Sequence, residues 1–325
     1  MAVDIRIGDC RELMRAMEPE SVDCVVTSPP YWGLRDYGVK GQLGLEASLI
    51  EHIETMVDVF AEVHRVLKKE GTLWLNYGDC YATSPNGRSA ADTKATGNDD
   101  RTFRDKPFST VGPINRSKDR SVKRWGGGKN SDAELKPKDL CMISNRIAIA
   151  LQEWGWWVRS EIIWHKPNSM PESVTDRPAV AHEKVWLLSK SQRYFYDADA
   201  VAEPTNYPDA VDKQRESFNG KTGDKAFRAR REKRNLRNVW SICTAAFPSA
   251  HFATFPPALI EPCIKAGCPL GGKVLDPFGG SGTTGMVADR LGRNAILLEL
   301  NPEYAEIADR RIKKDAGMFA DVSST

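Results

Sequence analysis

The sequence predicts an α/β protein built on a doubly wound, mostly parallel sheet. Two stretches carry that expectation. Ser21-Val22-Asp23-Cys24-Val25-Val26 is an apolar, β-branched run that reads as a buried strand, and Thr27-Ser28-Pro29-Pro30-Tyr31-Trp32 ends it abruptly. Far down the chain, residues 273–275, a glycine turn, a helix to Leu291 and residues 294–299 give the strand, turn, helix, strand order of a parallel unit. Between these stretches, helical stripes alternate with short apolar runs, the pattern of helices laid on the faces of a sheet.

The first stretch is stiff. Neither Pro29 nor Pro30 has an N–H, and each holds φ at about −65°. Pro30 also drives Pro29 into an extended conformation. A short hydroxyl precedes the prolines and two aromatic rings follow. Such a turn can accept hydrogen bonds from an amine and stack a flat ring; it can equally be a rigid corner with a packed Tyr and Trp. In the second stretch, Gly280-Ser281-Gly282-Thr283-Thr284-Gly285 fits G-x-G-x-x-G, and the following strand ends in Glu299, where an acid that holds ribose hydroxyls is expected. No Lys-Ser/Thr pair follows the glycines, so the phosphate loop of a nucleotide triphosphatase is excluded.

Together, Ser28-Pro29-Pro30-Tyr31 and Asp276-Pro277-Phe278-Gly279-Gly280-Ser281-Gly282-Thr283-Thr284 resemble the motifs of the DNA amino-methyltransferases that use S-adenosyl-L-methionine. The catalytic motif precedes the cofactor motif, as in the permuted β group. The resemblance covers residues 3–83, 139–190 and 250–315. It implies a Rossmann-like methyltransferase sheet with a basic DNA-recognition insertion. It also implies catalytic roles for Ser28, Pro29, Pro30 and Tyr31, and cofactor contacts from Asp276 through Thr284, Glu299 and Asn301. Asp276 would hold the cofactor's amino group, Glu299 its ribose hydroxyls, and Phe255 would flank its methionine end. Residues 1–83 and 139–200 would then form the catalytic half and 243–316 the cofactor half. Residues 84–138 would be a flexible insertion, 201–242 the target-recognition region, and 317–325 a disordered tail.

Composition sets outer bounds. The chain has 325 residues, 41% hydrophobic and 28% charged, ordinary for a globular protein. Its net charge of +2 says nothing by itself about nucleic acid. Seven cysteines with no C-x-x-C pair argue against a disulfide frame or a zinc site. No apolar run approaches membrane-spanning length and no signal peptide is evident, so the expected compartment is a reducing cytoplasm, bacterial or phage-encoded.

Taken in order, residues 3–9 alternate as a strand. Asp9 either caps the next helix, residues 11–17, or, by the resemblance, lies with Cys10 against the cofactor adenine. The glycine-flanked loop 33–38 can close over the site. Ile50, Ile53, Val57, Phe60, Val63 and Leu67 recur at helical spacing, Gly71 ends that helix, and residues 72–77 form the next strand. Some cytosine-modifying relatives carry an acid near the position of Asn76; Asp79 is a substitute, or no acid is needed. Residues 84–138 are polar, basic and poor in apolar residues, which predicts a mobile phosphate-binding insertion. A helix over 139–153 and a strand over 156–164 follow. His165 and His182 read as hydrogen-bonded loop residues rather than acid–base groups, and Trp154, Trp156 and Trp157 as core. A strand over 184–188 comes next. Between 213 and 237, ten basic residues oppose three acidic ones and leave +7. Among them Arg228, Arg230, Arg231, Lys233, Arg234 and Arg237 are the expected DNA contacts.

The implied reaction is methyl transfer from S-adenosyl-L-methionine to the exocyclic N4 amine of a cytosine flipped out of double-stranded DNA. Ser28 Oγ and the Pro29 carbonyl would draw out the amine's lone pair, and Tyr31 would stack on the base. Such chemistry requires no metal and no covalent intermediate. Adenine N6 is the nearest alternative, and Ser at position 28, where adenine enzymes more often have Asp, favours cytosine. A carbon-5 enzyme is rejected, because the lone Pro-Cys pair, Pro262-Cys263, sits in a helix. A non-catalytic DNA-binding protein is disfavoured by intact Ser28, Tyr31, Asp276 and Glu299, and a dinucleotide oxidoreductase leaves the proline turn unexplained. In a restriction-modification setting a cognate restriction endonuclease would be a partner.

Overall fold

The structure is a computed structural model and describes residues 1–34, 37–82, 135, 138–205, 233–245, 255–317 and 321–325. Nearly all of the basic stretch 84–138, the arginines Arg228, Arg230 and Arg231, and His251 to Thr254 lie outside the described residues.

Among the described residues, a nine-stranded sheet runs in the order β11-β1-β10-β9-β2-β3-β5-β4-β8. Its strands are β1 (Ala2–Ile7), β2 (Val22–Thr27), β3 (Leu67–Tyr77), β4 (Trp157–His165), β5 (His182–Ser189), β8 (Val239–Ser241), β9 (Lys273–Asp276), β10 (Asn294–Glu299) and β11 (Asp321–Ser324). β6 (Glu203–Pro204) and β7 (Lys233–Arg234) form a separate antiparallel pair. Within the large sheet only β5 runs antiparallel to its neighbours, β3 and β4. The sheet is therefore mostly parallel, as the sequence predicts. β2, which delivers the proline turn, lies parallel and adjacent to β9, which delivers the glycine turn.

Helices cover both faces. On one side α1 (Cys10–Arg15), α2 (Leu49–Val66) and α3 (Ile143–Trp154) bury Met14, Met56, Phe60, Ile147 and Leu151 against Leu73 and Leu75. On the other, α4 (Pro257–Gly267), α5 (Thr283–Arg290) and α6 (Pro302–Ala316) bury Ile260, Ile264, Val287 and Ile312 against Val3, Val26 and Val274. Each such side chain removed from water stabilises the fold by about 1.5–3 kcal/mol. α2 starts at a capping box: Glu51 N–H donates to Ser48 Oγ at 3.2 Å, and Ser48 N–H to Glu51 Oε2 at 3.1 Å.

Several expectations need correction. Gly71 does not end α2; the chain passes from Val66 straight into β3, and Gly71 lies inside that strand, where a Cβ would come within 2.5 Å of Leu67 Cγ. α3 begins at Ile143 rather than 139, because Lys138 and Met142 sit at φ +72° and +54°, outside helical geometry. His165 and His182 are not loop residues but a cross-strand pair of β4 and β5. Trp156 is core, but Trp154 and Trp157 are exposed. The tail is not disordered through its last residues. β11 pairs parallel with β1, and Thr325 N–H donates to the Ile5 carbonyl at 2.9 Å. Val322 packs there against the core and supplies the apolar contact that an isolated tail would lack. Among the described residues, no helix is long and apolar enough to cross a membrane.

Candidate active site

The two motif turns meet at Asp276. Thr27 Oγ1, at the end of β2, donates to its Oδ1 at 2.6 Å, and Thr284 Oγ1, in the first turn of α5, donates to its Oδ2 at 2.6 Å. Phe278 N–H adds a third bond at 3.1 Å. Burial raises the pKa of this carboxyl to about 6. The carboxyl is 1% exposed, and both its oxygens are taken up in holding the proline turn to the glycine turn. Asp276 thereby ties the two loops together, and it is not among the residues that line the adjoining cavity.

That cavity opens at the carboxyl ends of β1, β2, β9 and β10, where ligands bind in sheets of this kind. Asp9, Cys10, Pro277, Phe278, Gly280, Ser281, Glu299 and Asn301, eight of the candidate cofactor residues, line it, together with Ser28 and Pro30 of the candidate catalytic turn. Glu299 Oε2 accepts from Gly280 N–H at 2.7 Å and Oε1 from Asn301 N–H at 2.8 Å, so the acid is held with its carboxylate facing the cavity. Burial raises its pKa. Gly280 and Gly282 both have positive φ, +52° and +77°. A Cβ at Gly282 would come within 2.8 Å of Ala308 Cβ, whereas one at Gly280 meets nothing nearer than 3.8 Å. Glycine at 280 therefore leaves a cradle that a side chain would fill. Asp9 proves to be both cap and wall. It accepts from Arg11 N–H at 2.8 Å, and the Arg11 guanidinium holds its carboxyl below the usual range. Burial pushes the Cys10 thiol up to about 12, so it stays neutral.

Other expected contacts lie elsewhere. Gly279, Gly282, Thr283 and Thr284 shape the turn without lining the cavity, and Phe255 packs against the core cluster beneath α4 and α5. Tyr37, Gln42 and Tyr304 line the cavity unanticipated. Tyr37 lies in the glycine-flanked loop and Gln42 shortly after it, the one sequence signal that pointed there.

The proline turn forms the partition between this cavity and a second one, lined by Tyr31, Leu34, Gly78, Tyr81, Lys166 and Glu183 among others. Ser28 and Pro30 face the first; Tyr31 faces the second. The Tyr31 ring lies 4.6 Å from that of Tyr77 at 31°, and a Cβ at Gly78 would come within 2.6 Å of Tyr31 Cε2. Behind the turn, Tyr77 Oη accepts from Trp32 N–H at 2.9 Å and sits 2.7 Å from His52 Nε2, whose Nδ1 is 2.8 Å from Glu46. Tyr31 Oη donates to Glu183 Oε2 at 2.8 Å, and Ser28 Oγ to Tyr31 Oη at 3.4 Å. Burial, then the Glu183 charge, raises the phenol's pKa, so it stays protonated. Lys166 Nζ pairs with Glu183 Oε1. Glu183 was not anticipated, since nothing in its local sequence marks it. Asp79, the expected substitute for an acid at Asn76, instead accepts backbone N–H groups from Cys80 at 2.9 Å and Ile143 at 3.2 Å, at the start of α3.

On the basic side, Arg234 and Arg237 each bind Glu203 Oε2 at 3.0 Å, and Lys233 lies beside them on β7.

The DNA methylase family profile matches residues 22–310 of this chain. Over 308 residues the chain is 43% identical to the type II methyltransferase M.SmaI of Serratia marcescens, covering 95% of this chain and 90% of that one. It is also 43% identical over 306 residues to M.XycI of Xanthomonas campestris pv. cyanopsidis, covering 94% and 86%. Among solved structures, the cytosine-N4-specific PvuII DNA methyltransferase aligns with a TM-score of 0.61 at 19% identity, over 100% of this chain and 94% of that one. A Thermus thermophilus protein solved with S-adenosyl-L-methionine aligns at 0.59 and 22% identity, over the whole of both chains. These two likenesses bear on the fold alone. The family profile and the two close relatives, each spanning most of the sequence, decide the kinship: the chain belongs to the N6/N4 DNA methylase family, alongside the type II DNA methyltransferases.

Proposed function

We propose that the protein methylates the N4 amine of cytosine in double-stranded DNA, with S-adenosyl-L-methionine in the cavity that Glu299 and Gly280 border. The observation that carries this reading is the partition: the hydroxyl of Ser28 faces the cofactor cavity while the ring of its neighbour Tyr31 walls the other. When bound, the cofactor supplies an activated methyl group. Glu299 presents a carboxylate suited to ribose hydroxyls, and the cradle at Gly280 leaves room for the ligand beside it.

The residues of the turn supply alignment. Ser28 Oγ and the Pro29 carbonyl accept hydrogen bonds from the amine, which turns its lone pair out of ring conjugation and toward the methyl group. The prolines hold those acceptors rigidly, so little reorganisation is needed as charge develops. Tyr31, backed by Tyr77, offers a flat surface for a base taken out of the duplex. The neutral Ser28 in the acceptor position favours cytosine over adenine, where a carboxamide or carboxylate would polarise the amine more strongly.

Incubation with labelled S-adenosyl-L-methionine and duplex DNA, followed by digestion to nucleosides, tests the assignment. N4-methylcytosine is the expected product. N6-methyladenine would overturn the choice of base, and label retained only on the protein would overturn the reading altogether.

A further inference from the structure

Methylation of an exocyclic amine releases one proton, and neither the Ser28 hydroxyl nor the Pro29 carbonyl can keep it. A path for that proton is built into the partition. Ser28 Oγ donates to Tyr31 Oη at 3.4 Å, and Tyr31 Oη donates to Glu183 Oε2 at 2.8 Å. The first bond is long, as such bonds often are before the substrate is in place. Both point the same way, so each polarises the next. Asn76 Nδ2 donates to the same Glu183 oxygen at 3.2 Å and to the Lys184 carbonyl at 3.1 Å, which fixes the amide. Lys166 Nζ holds the other carboxylate oxygen and lies 4.3 Å above the Trp164 ring. The Glu183 side chain is 19% exposed and faces the second cavity, which opens to solvent.

We propose that Glu183 is the terminal acceptor of the proton released by the amine, acting through Tyr31 and Ser28. This rests on the amine-transfer reading above and holds whichever amine is the substrate. As the nitrogen lone pair bonds to the methyl carbon, the carbon–sulfur bond breaks and its electron pair stays on sulfur. The nitrogen's proton passes to Ser28 Oγ as the Ser28 proton passes to Tyr31 Oη and the Tyr31 proton to Glu183 Oε2. The sulfonium charge and the carboxylate charge disappear together, so the step leaves the net charge of the pocket, including the Lys166 ammonium, unchanged. Proton loss to solvent from Glu183 then resets the site. Glu183 touches no reacting atom. It is a positioning residue for Tyr31 and Ser28 as well as the end of their chain. The carboxylate also makes the Ser28 hydroxyl a stronger acceptor than an isolated serine would be, which offsets the absence of an acid at position 28.

The test is single-turnover methyl transfer by the full chain with S-adenosyl-L-methionine and duplex DNA. Glu183→Gln keeps the shape and can still accept from Tyr31, but it cannot take a proton. Tyr31→Phe keeps the ring and removes the link. Each should slow transfer about 100-fold, the lower end of the range for proton-transfer groups, with the apparent KM for DNA and the cofactor affinity near wild type. The double variant should be no slower than the slower single variant, and Glu183→Asp should recover part of the rate. Wild-type transfer in either single variant overturns the path. So does a double variant whose loss is the product of the two single losses, or a loss confined to KM. Should Glu183→Gln lose its thermal transition or cofactor binding, Tyr31→Phe decides the matter alone. The digested nucleoside separates this proposal from the choice of base: N6-methyladenine overturns cytosine as the substrate while the rates still judge the path.

Discussion

The two cavities flanking the proline turn are made of different materials. On the cofactor side the main contacts are backbone groups and one carboxylate: Gly280 N–H and Asn301 N–H on Glu299, within 22 residues of chain from 280 to 301. On the acceptor side the contacts are side chains from four separated segments. Tyr31 follows β2, Asn76 lies in β3, Lys166 follows β4 and Glu183 lies in β5. Backbone donors stay in place when side chains change, whereas a cluster of side chains depends on the strands that carry it. The cofactor half should therefore tolerate substitution of its cavity walls other than Glu299 and Gly280, and the acceptor half should fail one side chain at a time.

Asp276 belongs to both halves, so its loss should have the largest effect. Asp276→Ala leaves two buried hydroxyls and one N–H without their acceptor. The expected cost is about 3 kcal/mol or more of folding stability, with cofactor affinity and turnover lost together. Denaturant unfolding combined with calorimetric cofactor binding reads both. If either activity survives unchanged, the two turns are not coupled through this residue. Asp276 also makes a signed pH prediction. Its carboxyl ionises near 3.8 in an unfolded chain and at about 6 here, so the folded form retains the proton between those values. That contribution to stability is fully present below pH 3.8 and is lost as pH rises through 6. Asp276→Asn should flatten this part of the stability profile; an unchanged profile would show that another group titrates there.

The next pair of substitutions should separate the halves. Glu299→Ala removes the carboxylate that faces the cofactor cavity and should weaken S-adenosyl-L-methionine binding by about 1.5–3 kcal/mol, as for hydrogen bonds to a charged group. Ser28→Ala should leave that affinity near wild type and lower turnover by about 1–3 kcal/mol, roughly 5- to 150-fold. Calorimetry and single-turnover rates, measured on the same preparations, give the two numbers. If Ser28→Ala loses cofactor affinity as much as Glu299→Ala does, the partition is not a partition.

The same contrast explains what could be read from the sequence. The order of strand, glycine turn, helix and acid is local, because Gly280, Gly282 and Glu299 are required by backbone geometry within one parallel unit. The proline turn is local too, since Pro29 and Pro30 restrict the chain by themselves. Asp276 was visible as a motif residue, but its role was not, because its partner Thr27 is 249 residues away. Glu183 was hidden for the same reason. It meets Tyr31 only because β3, β5 and β4 pair in the register that sets Asn76 opposite Val185 and Glu183 opposite Trp164. β11 was missed because a short polar segment carries almost no apolar signal; it is ordered by the open edge of β1 and by Val322.

The smallest expected effect concerns the basic stretch, where two of the anticipated DNA contacts share one acid. Arg234 and Arg237 both bind Glu203, and the Arg237 side chain is 65% exposed. Ion pairs this close to solvent contribute about 0.2–1 kcal/mol, so Glu203→Gln should barely move the unfolding midpoint. Its effect on DNA binding should be easier to see. Glu203 competes with phosphates for both guanidinium groups, and removing its charge frees them while leaving both active-site cavities untouched. If the arginines contact DNA, nonspecific affinity should rise, and the log–log salt dependence should steepen by up to about 0.9 for each new phosphate neutralised on duplex DNA. Turnover at saturating DNA should stay at the wild-type value, in contrast to Ser28→Ala. If the slope does not change, the two arginines serve only to hold β7 against β6, and the phosphate contacts must be sought among the other basic residues of 213–237.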